Sequence, residues 1–331
     1  MEPFPPALGL SSEQTEQLLR LAGAAPSLHN RQPWRFRLSP ESIELFCDPR
    51  RRLPAADPDD RELRVGCGAA LLNLRIALAQ AGIRPDVTLV PRTGGPWALA
   101  HVRVAEHADP APPESELFRA IPVRRSNRRP FLPDPVPLAH CQALVRAVQA
   151  EDCWLHVVER SQLGVLENLV RTAHRAQLDD PAFVAEMLEW TGRGPGEVEG
   201  VPAASAGPLP EPQDQWVLRD FSGGQARIRL PGKDFEYDPL LLVLCSHSGT
   251  RTADLEAGQA LQRMLLTATS LGLVASLISQ VTEVGEVREE LRRLLGGSLH
   301  PQAVVRVGYG TPAPATPRRE PRELLVDQAG A

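Results

Sequence analysis

Two apolar segments of this chain align without a gap at an offset of 190 residues. Gly68 falls on Gly258, Ala70 on Ala260, Leu71 on Leu261 and Gly82 on Gly272, with Leu74 on Met264, Ile76 on Leu266 and Ile83 on Leu273. In the first segment Leu63, Cys67, Ala70, Leu71, Leu74, Leu78 and Ala81 recur at spacings of three and four. That period predicts a long buried helix over residues 61–81, stopped by Gly82. The second segment predicts a helix over residues 253–271, and each helix feeds a short strand. Ala- and Leu-rich helices match one another easily, so chance stands beside duplication as an explanation. A duplicated unit would give two copies of an alternating helix–strand module. Two such copies can pack as a dimer fused into one chain, with the long helices facing each other at its centre.

The remaining pattern fits the same plan. Ser11 and Gln14 form a capping box that opens a helix running to Gly23. Strands are expected at 35–38, 43–47, 87–90, 99–104, 154–158, 240–245, 273–278 and 303–307. Further helices are expected at 138–149, 161–178, 183–190 and 284–295. A chain of 331 residues has room for two domains, and the proline-rich run 108–113 is the expected boundary, giving halves 1–110 and 111–331. Residues 192–232 are rich in glycine and proline. An irregular stretch of that length is either a functional lid or disordered.

Lysine and arginine total 36 against 41 aspartates and glutamates, a net charge of −5, which disfavours a general nucleic-acid binder. No apolar run approaches the roughly 20 residues of a membrane helix, and residues 1–10 lack the pattern of a signal peptide. The five cysteines are scattered, with no Cys-x-x-Cys pair, which argues against a zinc ribbon or a disulfide scaffold. These features predict a reduced, cytoplasmic protein with no nucleic-acid or membrane partner. His101, His107 and His140 have no metal-ligand spacing with acids or cysteines. Neither a Gly-x-Ser-x-Gly elbow nor a phosphate loop is present. Gly66-Cys67-Gly68 lies within helical periodicity, so it is no dinucleotide fingerprint. Neither a catalytic side-chain constellation nor a metal site is expected.

Two motifs carry chemistry. Arg124, Arg125, Arg128 and Arg129 crowd four positive charges around Ser126. Guanidinium groups bind phosphate through paired, charge-assisted hydrogen bonds, although a solvated basic turn has the same composition. The stretch Pro26-Ser27-Leu28-His29-Asn30-Arg31-Gln32-Pro33-Trp34 offers a hydroxyl, an imidazole and two amides in quick succession. Such groups suit the rim of a planar heteroaromatic ring, or a tight turn that satisfies its own backbone. Each motif occurs in one half alone. The first half has no arginine cluster before its first helix. The second passes almost directly from helix to strand at 150–154. Complementary loss points to one composite site built from both halves.

The loop from Ala25 to Trp34 resembles the flavin-contacting loop of the FMN-dependent nitroreductase superfamily, and Arg124-Arg125-Ser126-Asn127-Arg128 resembles its phosphate motif. Leu271-Gly272-Leu273 and the stretch from Pro301 to Gly310 are similar to its later helix–strand junction and last strand. The order, with the flavin loop first, is similar to the Acg-type subfamily, in which one chain mimics the usual homodimer. The resemblance implies an α+β, nitroreductase-like fold: an internal pseudo-dimer with mixed sheets and central long helices, sufficient as a monomer. It implies FMN as cofactor, with Arg124, Arg125, Ser126 and Arg128 on the phosphate and Arg318 or Arg319 returning to it. Ser27, Asn30 and Gln32, with Pro26 and His29 in the same loop, would reach the flavin. Ser276, Leu277, Ser279 and Gln280 would lie along the ring. The implied activity is NAD(P)H-dependent oxidoreduction, with hydride passing by way of flavin N5 to a nitroaromatic or quinone-like small aromatic acceptor. The alternative is an Acg-like protein that binds or sequesters FMN beneath a lid at 192–232, with little or no turnover. Where the family usually carries Pro-Ile-Glu-Gly, this chain has Leu277-Ile278-Ser279-Gln280.

Overall fold

A computed structural model describes residues 3–109, 111–226, 229 and 239–326. The first part of the chain runs α1 (Ser12–Ala22), β1 (Trp34–Leu38), β2 (Ile43–Cys47), α2 (Arg61–Gln80), β3 (Ile83–Leu89) and β4 (Ala98–His107). Next come α3 (Pro112–Ala120), α4 (Leu138–Gln149), β5 (Trp154–Val157), α5 (Leu163–Leu178) and α6 (Pro181–Trp190). The chain ends with β6 (Leu240–Ser246), α7 (Arg251–Ser270), β7 (Val274–Leu277), α8 (Gln280–Glu283), α9 (Gly285–Leu294) and β8 (His300–Gly308).

Two four-stranded sheets have the same plan, β1-β2-β4-β3 and β5-β6-β8-β7. The expectation of mixed sheets is corrected, because every ladder between these strands is antiparallel. The reason lies in the crossovers. The β2–α2–β3 unit does set β3 parallel to β2, but β4 returns between them. β6, α7, β7 and β8 repeat that arrangement. Among the described residues parallel pairing survives only as single bridges, Phe36 with Leu325 and Ser126 with Ala275 at the sheet edges and Arg193 with Pro202 outside the sheets.

The central contact is α2 against α7. A Cβ on Gly68 would lie 2.3 Å from the Leu255 carbonyl oxygen, and one on Gly258 would lie 2.1 Å from that of Val65. These clashes are reciprocal, and both residue pairs stand at the repeat offset. So does the ion pair beside them, Arg64 Nε to Asp254 Oδ2 at 2.8 Å. Equivalent residues that meet each other are the geometry of a two-fold contact. Both helices end at a glycine in the left-handed region, Gly82 at φ +77° and Gly272 at φ +73°.

α3 was not expected, because Pro112 and Pro113 read as a break. Prolines in a first helical turn cost no intrahelical hydrogen bond. Leu117, Ala120 and Ile121 then pack on Leu72 and Ile76 of α2 and Leu266 of α7. The 3₁₀ turn at 28–30 and the short α8 were also not foreseen. Beyond β8 the tail crosses to the first sheet, where Val326 N–H donates to the Phe36 carbonyl at 2.9 Å. Upstream of α4, Asn127 N–H donates to Ala275 at 2.8 Å. These two crossings bring the loop at 24–32, the arginine motif and the tail arginines together. Among the described residues no helix is long and apolar enough to cross a membrane.

Candidate functional site

The loop after α1 is held in an uncommon backbone conformation. His29, Asn30 and Gln32 have φ of +48°, +54° and +50°, a region that non-glycine residues seldom adopt outside functional sites. Side-chain bonds over-determine it. Gln32 N–H donates to Ser27 Oγ at 2.9 Å, and Gln32 Nε2 donates to the Val198 carbonyl at 2.6 Å. Arg319 N–H donates to Gln32 Oε1 at 2.9 Å, and Arg319 Nη1 to the Gln32 carbonyl at 3.0 Å. Asn30 Nδ2 donates to the carbonyls of Gly200 and Pro317. Gly66 of α2 lets Ser27 approach, since a Cβ there would stand 3.3 Å from Ser27 Cβ.

The result is a buried histidine with nothing to bond. His29 is 4% exposed, and among the described residues neither ring nitrogen has a hydrogen-bond partner. Burial first, then the positive charge of Arg219, pushes its pKa down to about 3, despite the opposing charge of Glu283. The ring is therefore neutral at ordinary pH, with one N–H to give and one lone pair to receive.

The arginine motif shows the same lack of partners. Arg124 is 5% exposed; among the described residues its buried Nε and Nη1 have no partner, and Nη2 reaches only the Ala24 carbonyl at 3.5 Å. Arg318 Nη2 donates to the carbonyls of Ala24 and Ala25, at 3.4 and 3.1 Å, and Nη1 to Thr316 and the Pro317 carbonyl, while among the described residues its Nε has no partner. Arg125 bends back onto the carbonyls of Pro122 and Arg124. Burial, then the charges of Arg318 and Arg125, lowers Arg124 to about 9. Burial, then Arg125, lowers Arg318 to about 10. Both stay charged at neutral pH, and among the described residues neither forms an ion pair with a carboxylate. A buried cluster of this kind is built to receive an anion.

A cavity of about 70 Å³ lies between these groups. Pro26, Ser27 and His29 form one wall with Glu62 and Gly66 of α2. Ser126, Arg128, Ser276, Leu277 and Ser279 form the other. Asn30, Gln32 and Arg319 lie behind the first wall as its supports. Arg124, Arg125, Arg318 and the buried Gln280 also stand outside the lining. Arg128 packs over the Phe221 ring, 4.3 Å from its centroid, and Nη1 donates to the Ser205 carbonyl.

Three residues at this site gave no sequence signal. Glu62 reads as an ordinary acid in a first helical turn. It is buried on the cavity wall, and burial pushes its pKa up to about 7 against the attraction of Arg61. Phe221 lines the cavity from within the Gly- and Pro-rich stretch. Two residues before it, Arg219 donates to Ser279 Oγ at 3.0 Å, to Gln177 at 2.6 Å and to both oxygens of Glu283. Burial opposes the charge on Glu283, but Arg219 outweighs it and holds the carboxyl below its usual range. Of the expected lid at 192–232, residues 227, 228 and 230–232 lie outside the described residues. Among the described residues no cluster of metal-ligating side chains occurs.

Comparison with known proteins gives a consistent picture. The profile described as "Nitroreductase family" matches residues 239–309. Two Mycobacterium tuberculosis proteins are similar along nearly their whole length. "Putative NAD(P)H nitroreductase Rv3131" is 35% identical over 95% of this chain and 93% of its own. "Putative NAD(P)H nitroreductase acg" is 33% identical over 96% of each. Among solved structures, a nitroreductase with bound FMN from Bacteroides fragilis covers 65% of this chain and 96% of its own, at 18% identity and a TM-score of 0.37.

Proposed function

The chain belongs to the nitroreductase family, and from that premise we propose that it holds FMN in the cavity between the Ser27–His29 loop and the Ser276–Ser279 segment. We propose further that it passes hydride from NAD(P)H to a nitroaromatic or quinone-like acceptor. One observation carries the reading. Among the described residues, Nε and Nη1 of Arg124, Nε of Arg318 and both ring nitrogens of His29 are buried without a hydrogen-bond partner; His29 lines the cavity, and both arginines reach the Ala24 carbonyl, two residues before the lining Pro26. A phosphorylated, planar, heteroatom-rimmed ligand satisfies all of them at once.

Arg124 and Arg318, with Arg125 and Ser126, would hold the phosphate. Ser27 and neutral His29 would meet the ring edge, with Ser276, Leu277 and Ser279 along it. Asn30, Gln32 and Arg319 hold the loop in its costly conformation. Val65 and Leu261 give the cavity an apolar side. FMN, when bound, supplies the hydride-carrying chemistry, so the protein's share is binding, orientation and charge.

The repeated sheet order and the reciprocal Gly68–Gly258 contact support reading the chain as two nitroreductase-like halves, 1–110 and 111–331, sufficient as a monomer. A second functional reading draws on Phe221. Its segment is pinned by the buried Arg219–Glu283 pair, as a lid over an FMN-binding protein with little turnover would be. A visible absorption spectrum followed by anaerobic NADH or NADPH separates the readings. Flavin bands that bleach promptly support the oxidoreductase. Bands that persist support the lidded binder. A colourless protein that takes up no added FMN refutes both.

A further inference from the structure

Among the described residues lining the cavity, Glu62 is the one acid, and the function proposed above gives it no role. It is the second residue of α2, where the N–H groups of Glu62 and Leu63 are capped by Asp57 at 3.0 and 2.8 Å. That cap fixes the start of the helix against the cavity. Both hydrogen bonds to the Glu62 carboxyl go to Oε1, from Arg61 Nη2 at 2.5 Å and Thr282 Oγ1 at 3.3 Å. Arg61 is itself locked by the carbonyls of Gln302 and Thr282. Oε1 is thus held in place, while Oε2 has no hydrogen-bond partner among the described residues.

We propose that Glu62 is the proton donor of this site, handing a proton from Oε2 to an acceptor molecule in the cavity. The proposal rests on the oxidoreductase reading. Two-electron reduction of a nitroaromatic to its nitroso compound consumes two electrons and two protons and releases water. The hydride brings both electrons and one proton. The second proton leaves Oε2 as its O–H bond breaks and a new O–H bond forms on a nitro oxygen. A solvent proton then returns to the carboxylate, so each turnover consumes one proton from solution.

The surroundings suit the task. Burial favours the protonated carboxyl, Arg61 opposes it, and Glu283 and Asp57 add to it, bringing the group to about neutrality. A donor poised near the working pH is the efficient one. Of the other charged groups here, Arg128 on the lining packs on Phe221 and donates to the Ser205 carbonyl, Arg219 is occupied by Glu283, and His29 is neutral at this pH and so is no acid.

Two measurements on the full chain test this. In infrared difference titrations of the protein without ligand, the wild type should show a protonated-carboxyl band that titrates near neutrality and is missing from Glu62→Gln. In single-turnover oxidation of the FMN-loaded, pre-reduced protein by a nitroaromatic, Glu62→Gln should react about 10²-fold more slowly and lose its pH dependence. FMN affinity should stay unchanged, and Glu62→Asp should keep a pH-dependent rate. Wild-type rate and pH profile in Glu62→Gln would overturn the donor role alone, as would loss of FMN binding confined to that variant. A wild-type protein that takes up no FMN would overturn the functional reading, and the donor role with it.

Discussion

Where α2 crosses α7 the two helices are interchangeable; half a turn away they are not. Gly68 and Gly258 meet reciprocally, and Arg64 pairs with its own counterpart Asp254. Yet α2 carries Gly66 beneath Ser27 and Glu62 on the cavity, while α7 carries Glu256 and Thr252 at the same offset. The sheets differ likewise, with buried Ser276 on the cavity and exposed Asp86 at the matching place. Packing of the centre needs both helices alike, because each lacks a side chain where the other's backbone passes. A ligand site needs only one side, and the other side has become surface.

The sharpest way to break the shared part is Gly258→Ala. Its Cβ would stand against a backbone carbonyl that cannot move without parting the helices, so urea melts should show a loss of about 3 kcal/mol, the upper end of overpacking, and Gly68→Ala should match it. Gly272→Ala has open space and only the left-handed backbone to resist it. It should cost about 1 kcal/mol. Equal effects at 258 and 272 would refute the close crossing.

The difference between the sides is sharpened by Gly66→Glu, which gives α2 the residue α7 has. Its side chain would enter the space beside Ser27. We expect a folded protein with FMN binding weakened by at least about 10-fold, the equivalent of 1.4 kcal/mol, in a fluorescence titration. Unchanged affinity would remove Gly66 from the account.

Acid melts address His29. Its folded pKa of about 3 lies below the unfolded value of 6.5, so the unfolded chain binds more protons between them. The stability this group contributes is complete above pH 6.5 and is lost as pH falls toward 3. His29→Gln should therefore lose less stability than the wild type across that window. The smallest effect belongs to Ser11→Ala, which removes the observed, exposed capping box from α1 and should cost about 0.5 kcal/mol, the low end for a lost cap.

These differences were unevenly legible. The long helices and most strands followed from period and glycine stops, because a buried helix must repeat at three and four. The antiparallel ladders did not, since strand direction depends on β4 returning between β2 and β3. α3 was hidden by the two prolines that begin it. At the site, the arginines and the His29 loop stood out by residue type alone. Which of them line the cavity was not readable: Asn30 and Gln32 spend their amides on Gly200, Val198 and the tail. Glu62 was silent because a first-turn glutamate looks the same whether it faces water or a cavity.

The most direct test of a single composite site on a symmetric centre is the FMN stoichiometry of the purified protein, by calorimetric titration with light scattering on the same sample. The account predicts one FMN for each monomeric chain, abolished together by substitutions in the Ser27–His29 loop and at Arg124. Two FMN sites in each chain, or binding that appears only in a dimer, would contradict it.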